Sequence, residues 1–462
     1  MGSKTDRSTT ETTLMTPRHL RTLPSKTMLA ASLALAATGA FAQTATEAEL
    51  ARRLDQLAAE LAGVKAQLAQ MQRRPSVPAQ AAAVPFGATA PAALSDAGAT
   101  PVTAVPAPPA AARPERETVL TGYGEINYNR PTSASQNALA DVRRVVLGIE
   151  HRFDAKTKLA TEIEFEHAVT SSGDAGEVAI EQAYAEHQIT PTWALRAGLM
   201  LMPAGLLNEN HEPTAYYGVE RNFVETAIIP TTWREGGAQL IGSFDNGLTV
   251  QGGLSTSFDL TKWDATSGKG KESPLGSIHQ ELALAKSHDL AVFGALNWRG
   301  LPGLLLGGSL FTGQATQAQA VAKARITLWD LHARWTPGRW DIAALYSRGT
   351  ISNTAALNAS LVGDPTLIPK AFDGYYLQGA YKVWSQADYA LSPFARWEQF
   401  NTARAYADLG PGLTPEAARA ERVVTLGANL QVAQGVVVKA DYQRFRVSTE
   451  LNRINLGLGW SF

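Results

Sequence analysis

No cysteine occurs among the 462 residues, which excludes a disulfide framework and thiolate metal sites. That absence suits an oxidising compartment, where an unpaired thiol is a liability. Charge of one sign is not in excess either. The 41 Lys and Arg meet 42 Asp and Glu, a formal net of -1, so no basic surplus is available to neutralise a nucleic-acid backbone, and no nucleic-acid partner is expected. Long hydrophobic runs are missing as well. No segment approaches about 20 continuous apolar residues, so a membrane, if it is crossed, must be crossed by strands. The eight histidines show no zinc-site spacing with carboxylates. No Gly-rich phosphate loop precedes a helix and no nucleophile elbow is present, so neither a cofactor, a resident metal nor an enzymatic activity is expected.

What is present begins with a leader. Arg18, Arg21 and Lys26 precede an apolar run from Met28 to Ala37, followed by Ala40-Phe41-Ala42 and then Gln43. Cationic, then apolar, then small-x-small is the order of a secretory signal, so 1–42 is read as a signal peptide cleaved after Ala42. The residues before Met15 or Met28 read as an over-long start. From 43 to 74, Leu54, Leu61 and Leu68 alternate with Leu50, Leu57, Val64 and Met71 at spacings of three and four. These are the two core positions of a heptad, with Glu60 and Lys65 placed to pair between parallel chains, and a coiled coil is expected. Residues 75–117 are rich in Pro and Ala and predict an extended spacer. Helix and spacer together read as a stalk in the periplasm, able to reach a cell-wall contact.

The segment 118–462 carries an all-β pattern. In Arg453 to Phe462, Ile454, Leu456, Leu458, Trp460 and Phe462 share one face, and Asn455, Gly457, Gly459 and Ser461 the other. An apolar outward face and a small, polar inward face are expected of a transmembrane β-barrel strand. Trp193 to Met202 and Thr327 to Trp335 alternate likewise, leaving Arg196, Asp330, His332 and Arg334 inward. Short turns at Asp154-Ala155-Lys156, Thr190-Pro191-Thr192, Asp245-Asn246-Gly247, Gly300-Leu301-Pro302-Gly303, Thr336-Pro337-Gly338, Ser385-Gln386-Ala387 and Ala433-Gln434-Gly435 carry hairpin chemistry. They alternate with seven longer segments: 131–140, 169–177, 203–233, 258–289, 314–323, 349–371 and 402–420. Short turns on one rim and long loops on the other predict an antiparallel outer-membrane barrel of about sixteen strands.

One long segment stands out. Pro203 to Trp233 combines Asn208, Glu209, Asn210, His211, Tyr216, Tyr217, Glu220, Arg221, Asn222 and Phe223 with Leu206, Leu207, Ala227, Ile228 and Ile229. A solvated loop has no need of that apolar set, so the segment is expected to pack on the barrel, inside the lumen, or else to cover the rim or contact a neighbouring subunit.

The run from Gly198 to Pro213, GLMLMPAGLLNENHEP, with Tyr217 to Glu225, YGVERNFVE, and Ile229 to Gly237, IPTTWREGG, resembles the phosphate-selective porin O and P family. The resemblance covers roughly Val119 to Phe462 and leaves out the stalk. It implies a sixteen-stranded homotrimeric porin whose third external loop folds into the lumen, with arginines at the constriction and lysines in the vestibules. Here the positions for that role are Arg221 in the loop and, by inward parity, Arg144, Arg152, Arg196, Arg334, Arg396 and Lys439. Glu220, Glu209 and His211 in the loop, and Glu162, Glu164 and Glu166 by parity, complete the candidate lining. Parity also turns Glu150, Asp330, Glu398 and Asp441 inward. The expected function is a passive channel of the bacterial outer membrane for small hydrophilic solutes or anions, phosphate among them. The alternative is a structural anchor that tethers the envelope through the coiled coil.

Overall fold

The computed structural model describes residues 52, 59, 116–171, 173–319 and 322–462. Arg52 and Ala59 are helical. The signal peptide, the spacer up to residue 115 and the rest of the coiled coil lie outside the described residues.

Seventeen strands follow one another: β1 (Glu117–Pro131), β2 (Leu139–Arg152), β3 (Thr157–Glu166), β4 (Glu177–Gln188), β5 (Trp193–Leu201), β6 (Arg234–Ser243), β7 (Leu248–Thr256), β8 (Leu290–Leu301), β9 (Leu304–Gln314), β10 (Arg325–Trp335), β11 (Trp340–Ile351), β12 (Ala371–Tyr381), β13 (Trp384–Gln386), β14 (Tyr389–Ala405), β15 (Glu421–Ala433), β16 (Val436–Phe445) and β17 (Arg453–Ser461). Each pairs antiparallel with its neighbours in sequence, and β1 pairs with both β2 and β17, which closes the sheet and leaves no free edge. The three-residue β13 is a spur on the turn between β12 and β14, which themselves pair directly. Sixteen strands therefore form the wall.

The turn residues do what their chemistry dictates. Asp154 Oδ1 accepts the N–H groups of Lys156 (2.8 Å) and Thr157 (2.7 Å), closing the β2–β3 turn. Those two N–H groups, Lys156 first, hold the Asp154 carboxyl below its ordinary value. All seven short connections share a rim with the start of β1 and the end of β17. The opposite rim carries eight longer connections, the eighth being 446–452, a seven-residue loop that the polar-segment reading passed over.

Alternation sorts the side chains by solvent. Leu147, Ile149, Leu240, Leu296, Leu331, Leu377, Leu426 and Leu456 point outward and are exposed, as lipid-facing residues are in an isolated barrel. Aromatic side chains ring this band at both edges. Near the short turns Trp193 meets Phe244 at 5.7 Å and Trp340 meets Tyr381 at 4.8 Å between ring centroids. Toward the long loops Trp329 meets Tyr346 and Tyr375 meets Trp397, each at 5.3 Å. Such girdles place the amphipathic rings at the two interfaces of a bilayer.

The inside is not uniformly polar. Phe293, Phe311, Ile326, Leu328, Leu345 and Phe372 point inward from β8 to β12 and are buried under Trp233, Ile228, Phe258, Leu275 and Ile368, which come from the long loops. Trp233 stacks on Phe258 at 5.2 Å and meets the edge of Phe311 at 4.8 Å. Half of the lumen wall is thus a conventional apolar core, each fully buried side chain contributing about 1.5–3 kcal/mol. Most inward charges lie opposite, on β1 to β5 and β14 to β17, with Asp330, His332, Arg334 and Asp341 on β10 and β11 besides.

Candidate pore and its constriction loop

The chain leaves β5 through Met202-Pro203 and returns at Trp233, and Asn208 holds the two ends together. Its Nδ2 donates to the carbonyls of Met202 (2.7 Å) and Trp233 (2.8 Å), while its Oδ1 accepts the Trp233 N–H at 2.7 Å. Glu225 fixes the next layer. One carboxylate oxygen accepts the N–H groups of Leu206 (2.6 Å) and Leu207 (2.7 Å), and the other accepts from Asn222 and from the Tyr376 hydroxyl of β12. Gly205 makes this possible: its φ is +69°, and a Cβ there would sit 2.4 Å from the Glu225 carboxylate. Burial lifts the Glu225 carboxyl above its ordinary value, against the pull of those donors.

From this base the loop reaches inward-facing residues all round the barrel. Its Tyr216 hydroxyl donates to Glu125 of β1 at 2.8 Å, and Asn129 of β1 donates to Glu220 at 2.7 Å. Gln251 of β7 donates to Glu209, and Gly205 N–H donates to Asp330 of β10. On β14, Glu398 accepts the Phe223 N–H at 2.6 Å. On β16, Asp441 accepts the Val219 N–H at 2.6 Å, and Lys439 donates to the Tyr216 carbonyl while its Nζ lies 3.7 Å above the Tyr216 ring. Partners on β1, β7, β10, β12, β14 and β16 span the circumference. The loop therefore crosses the lumen, and the alternative of a loop confined to the rim is excluded.

The last strand is shaped to receive it. A Cβ on Gly459 would lie 2.6 Å from Pro213, and one on Gly457 would lie 3.1 Å from Val219. The small inward set of β17, read from the sequence as a face toward water, is the floor on which loop residues 213–219 rest.

The candidate lining divides into two groups. Buried beneath or within the loop are Arg144, which bridges Glu125 (3.0 Å) and Glu164 (2.8 Å) and reaches Glu166 at 3.7 Å; Arg396, paired with Glu398 at 3.0 Å; Lys439; His211; and Arg221. Arg221 has no carboxylate partner among the described residues. Its Nη1 donates to the hydroxyls of Thr231 (2.6 Å) and Thr232 (2.8 Å), and its Nη2 donates to the His211 carbonyl at 3.1 Å. It works as an internal strut of the loop. The second group keeps contact with solvent: Glu162, Glu166, Glu209, Glu220, Arg152, Arg196 and Arg334 are half-buried. Near the short-turn rim, charges on adjacent strands alternate in sign. Arg152 pairs with Glu150 (3.3 Å), Glu150 with Lys158 (2.9 Å), and Glu186 with Arg196 (2.8 Å), while Arg334 is held by Asp341 at 2.6 Å. These pairs set charges of opposite sign side by side along a half-exposed stretch of the wall.

Sequence reasoning passed over Glu181, a fully buried acid of the wall. It sits at a bulge in β4, where Glu162 and Ile163 face Gln182 and Ile180, and the extra residue turns inward. Tyr123 donates to its carboxylate at 2.8 Å, and His211 Nε2 lies 2.8 Å from the Tyr123 hydroxyl. Strict two-residue parity cannot find a bulge. Glu225 was equally silent, since its partners run from the nearby Leu206 and Leu207 N–H groups to the distant Tyr376 hydroxyl, and Asn208 was legible as a loop residue but not as the one that ties the loop's two ends.

A curated protein of Aquifex aeolicus, described as uncharacterized, is 29% identical over 335 residues, covering 70% of this chain and 75% of its own. Among solved structures, OmpF of Salmonella typhi, in complex with daunomycin, is 14% identical with a TM-score of 0.54 and covers 75% of this chain and 98% of its own. A loop-deletion mutant of OmpT, an outer membrane protein of Vibrio cholerae, is 10% identical with a TM-score of 0.49, covering 76% of this chain and 100% of its own. The OmpF likeness establishes the fold. Residues 119–226, from β1 through most of the inward loop, match the family described as phosphate-selective porin O and P.

Proposed function

We propose that the chain works as a passive channel of the outer membrane for small hydrophilic solutes, anions included, with loop 202–233 as its constriction. The observation that carries this reading is the loop's set of hydrogen bonds to inward side chains on six strands around the wall. A loop fixed that way narrows the passage, and the charges left in contact with water at the narrow zone then govern which ions pass. Arg152, Lys158, Arg196 and Arg334 stand with Glu150, Glu162, Glu166, Glu186, Glu209 and Glu220 among the half-buried charges, so both signs contribute. The reading is of a general porin that passes phosphate with other small anions, and of a channel rather than an enzyme.

Single-channel recording in a planar bilayer, with the reversal potential taken under a KCl gradient, tests it. Stepwise currents are expected, and removal of residues 206–228 should enlarge each step several-fold. A folded, inserted barrel that never conducts would overturn the channel. The homotrimer implied by the family resemblance is part of the same proposal and is checked by the mass of the native complex in detergent.

A further inference from the structure

The outward surface carries one feature that a channel does not need. Arg325, Arg348, Arg404, Arg422 and Arg444 stand at the long-loop ends of β10, β11, β14, β15 and β16, all on the side away from the lumen. Each lies beyond an aromatic or apolar residue of the lipid-facing band on its own strand: Trp329, Tyr346, Trp397, Val424 and Tyr442 respectively. The register makes the row continuous, since Arg348 is opposite Asp373, Gln399 opposite Arg422, and Arg444 opposite Val424.

Little on the protein neutralises this row. Asp373 is the one carboxylate on that face of these strands among the described residues, and it is shared by Arg404 at 3.0 Å and Arg348 at 3.8 Å. Arg422 donates to the neutral Gln399 at 2.7 Å, and Arg325 to a threonine hydroxyl. Glu421, next in the chain, is unavailable because its carboxylate accepts the N–H groups of Arg422, Arg446, Val447 and Ser448. Five guanidinium groups against one carboxylate, directly above an apolar band, form a surface complementary to anionic headgroups at the edge of a lipid layer. Guanidinium is the group suited to bidentate binding of phosphate.

We infer that this face binds the phosphorylated saccharide headgroup of the glycolipid in the outer leaflet, its acyl chains lying against the aromatic and leucine band below. The inference rests on the barrel's placement in the outer membrane, not on conduction.

The test measures binding of a bis-phosphorylated lipid A and of its enzymatically dephosphorylated form to the full-length protein in detergent. The wild type should prefer the phosphorylated form by about tenfold or more, given the attraction each basic side chain exerts near an anionic surface. A triple variant, Arg348→Gln, Arg422→Gln and Arg444→Gln, should lose that preference, whereas Asp373→Asn should strengthen it by freeing two arginines. Arg339→Gln, at a short turn, should leave it unchanged. Equal affinity of the wild type for the two lipids overturns the inference, as does a preference retained by the triple variant. An oligomer that dissociates in the triple variant with its lipid preference intact would assign the face to a second copy of the chain, and also overturns it. Asp373→Asn keeps the test alive should the triple variant not fold. Conductance of the same preparations separates the two readings: currents without phosphate preference sink this inference alone, and phosphate preference without currents sinks the channel alone.

Discussion

His211, in the middle of the inward loop, places its Nε2 3.5 Å from a carboxylate oxygen of Glu181, the residue that a bulge turns inward from β4. Burial pulls the imidazole toward its neutral form, but the Glu181 carboxylate outweighs burial and holds the His211 pKa above its ordinary value. Arg221 opposes that shift and Glu212 reinforces it. A histidine whose folded pKa is raised contributes stability that is fully present below about pH 6.5, its unfolded value, and is lost as pH rises through the folded value. The loop should therefore be held most tightly in mild acid and loosen as pH rises through the raised His211 value. Open-channel current noise should increase over that range in the wild type and become independent of pH in His211→Gln. A His211→Gln profile that tracks the wild type would remove His211 as the cause.

Trp233 is fully buried where the loop rejoins the wall, stacked on Phe258 and edge-on to Phe311. Trp233→Ala should cost about 3–5 kcal/mol through the cavity left behind. Because the strands keep their ladder, the loss should fall on the loop. Trypsin should then cut after Arg221 in the variant while the barrel remains intact on a gel. Protection equal to the wild type would show that Asn208 and Glu225 hold the loop without the aromatic stack.

The barrel itself was legible because its signals are local and repeated. Alternation in Trp193 to Met202 and Arg453 to Phe462 follows from the pleat, and turn residues such as Asp154 and Asn246 act within three or four positions. The loop's apolar residues Leu207, Ile228 and Ile229 announced that it packs on the barrel, without saying on which side, and they are buried. What could not be read depends on contacts between separate strands and loops. Arg144 and Arg196 share inward parity, yet one is sealed beneath the loop and the other meets water, since depth in the barrel is not encoded in the strand period. Loop 446–452 was missed because its backbone is held by Glu421 from another strand, so it needs no polar run of its own.

Gly459 offers a direct handle on the constriction. Its inward position touches Pro213, and a side chain there has no space. Gly459→Leu should lift residues 213–219 from β17 and break the Thr214–Ser461 hydroxyl pair, now 2.8 Å apart. Overpacking of this kind costs about 1–3 kcal/mol, which shifts the loop without unfolding the wall. Single-channel conductance should change in Gly459→Leu and stay as in the wild type in Gly379→Leu, where a Cβ meets open space. Equal conductance in all three proteins would show that the loop does not border the conducting path near β17.

Arg221 and Arg196 should behave oppositely when neutralised. Arg221 is sealed inside the loop, where it braces Thr231, Thr232 and the His211 carbonyl. Arg221→Gln should therefore loosen the constriction and alter conductance, with little change in the sign of selectivity. Arg196 is half-exposed on the wet wall, its guanidinium 2.8 Å from Glu186 and 4.3 Å above the Tyr184 ring. Neutralising it leaves Glu186 uncompensated by that partner, and fixed charges in contact with a pore govern which ions enter. Arg196→Gln should accordingly move the reversal potential in a KCl gradient toward that of potassium, while Glu186→Gln moves it toward chloride. If Arg221→Gln shifts the reversal potential and Arg196→Gln does not, the selective ring lies at the loop's buried charges, and the paired charges near the short-turn rim are only a structural feature of the wall.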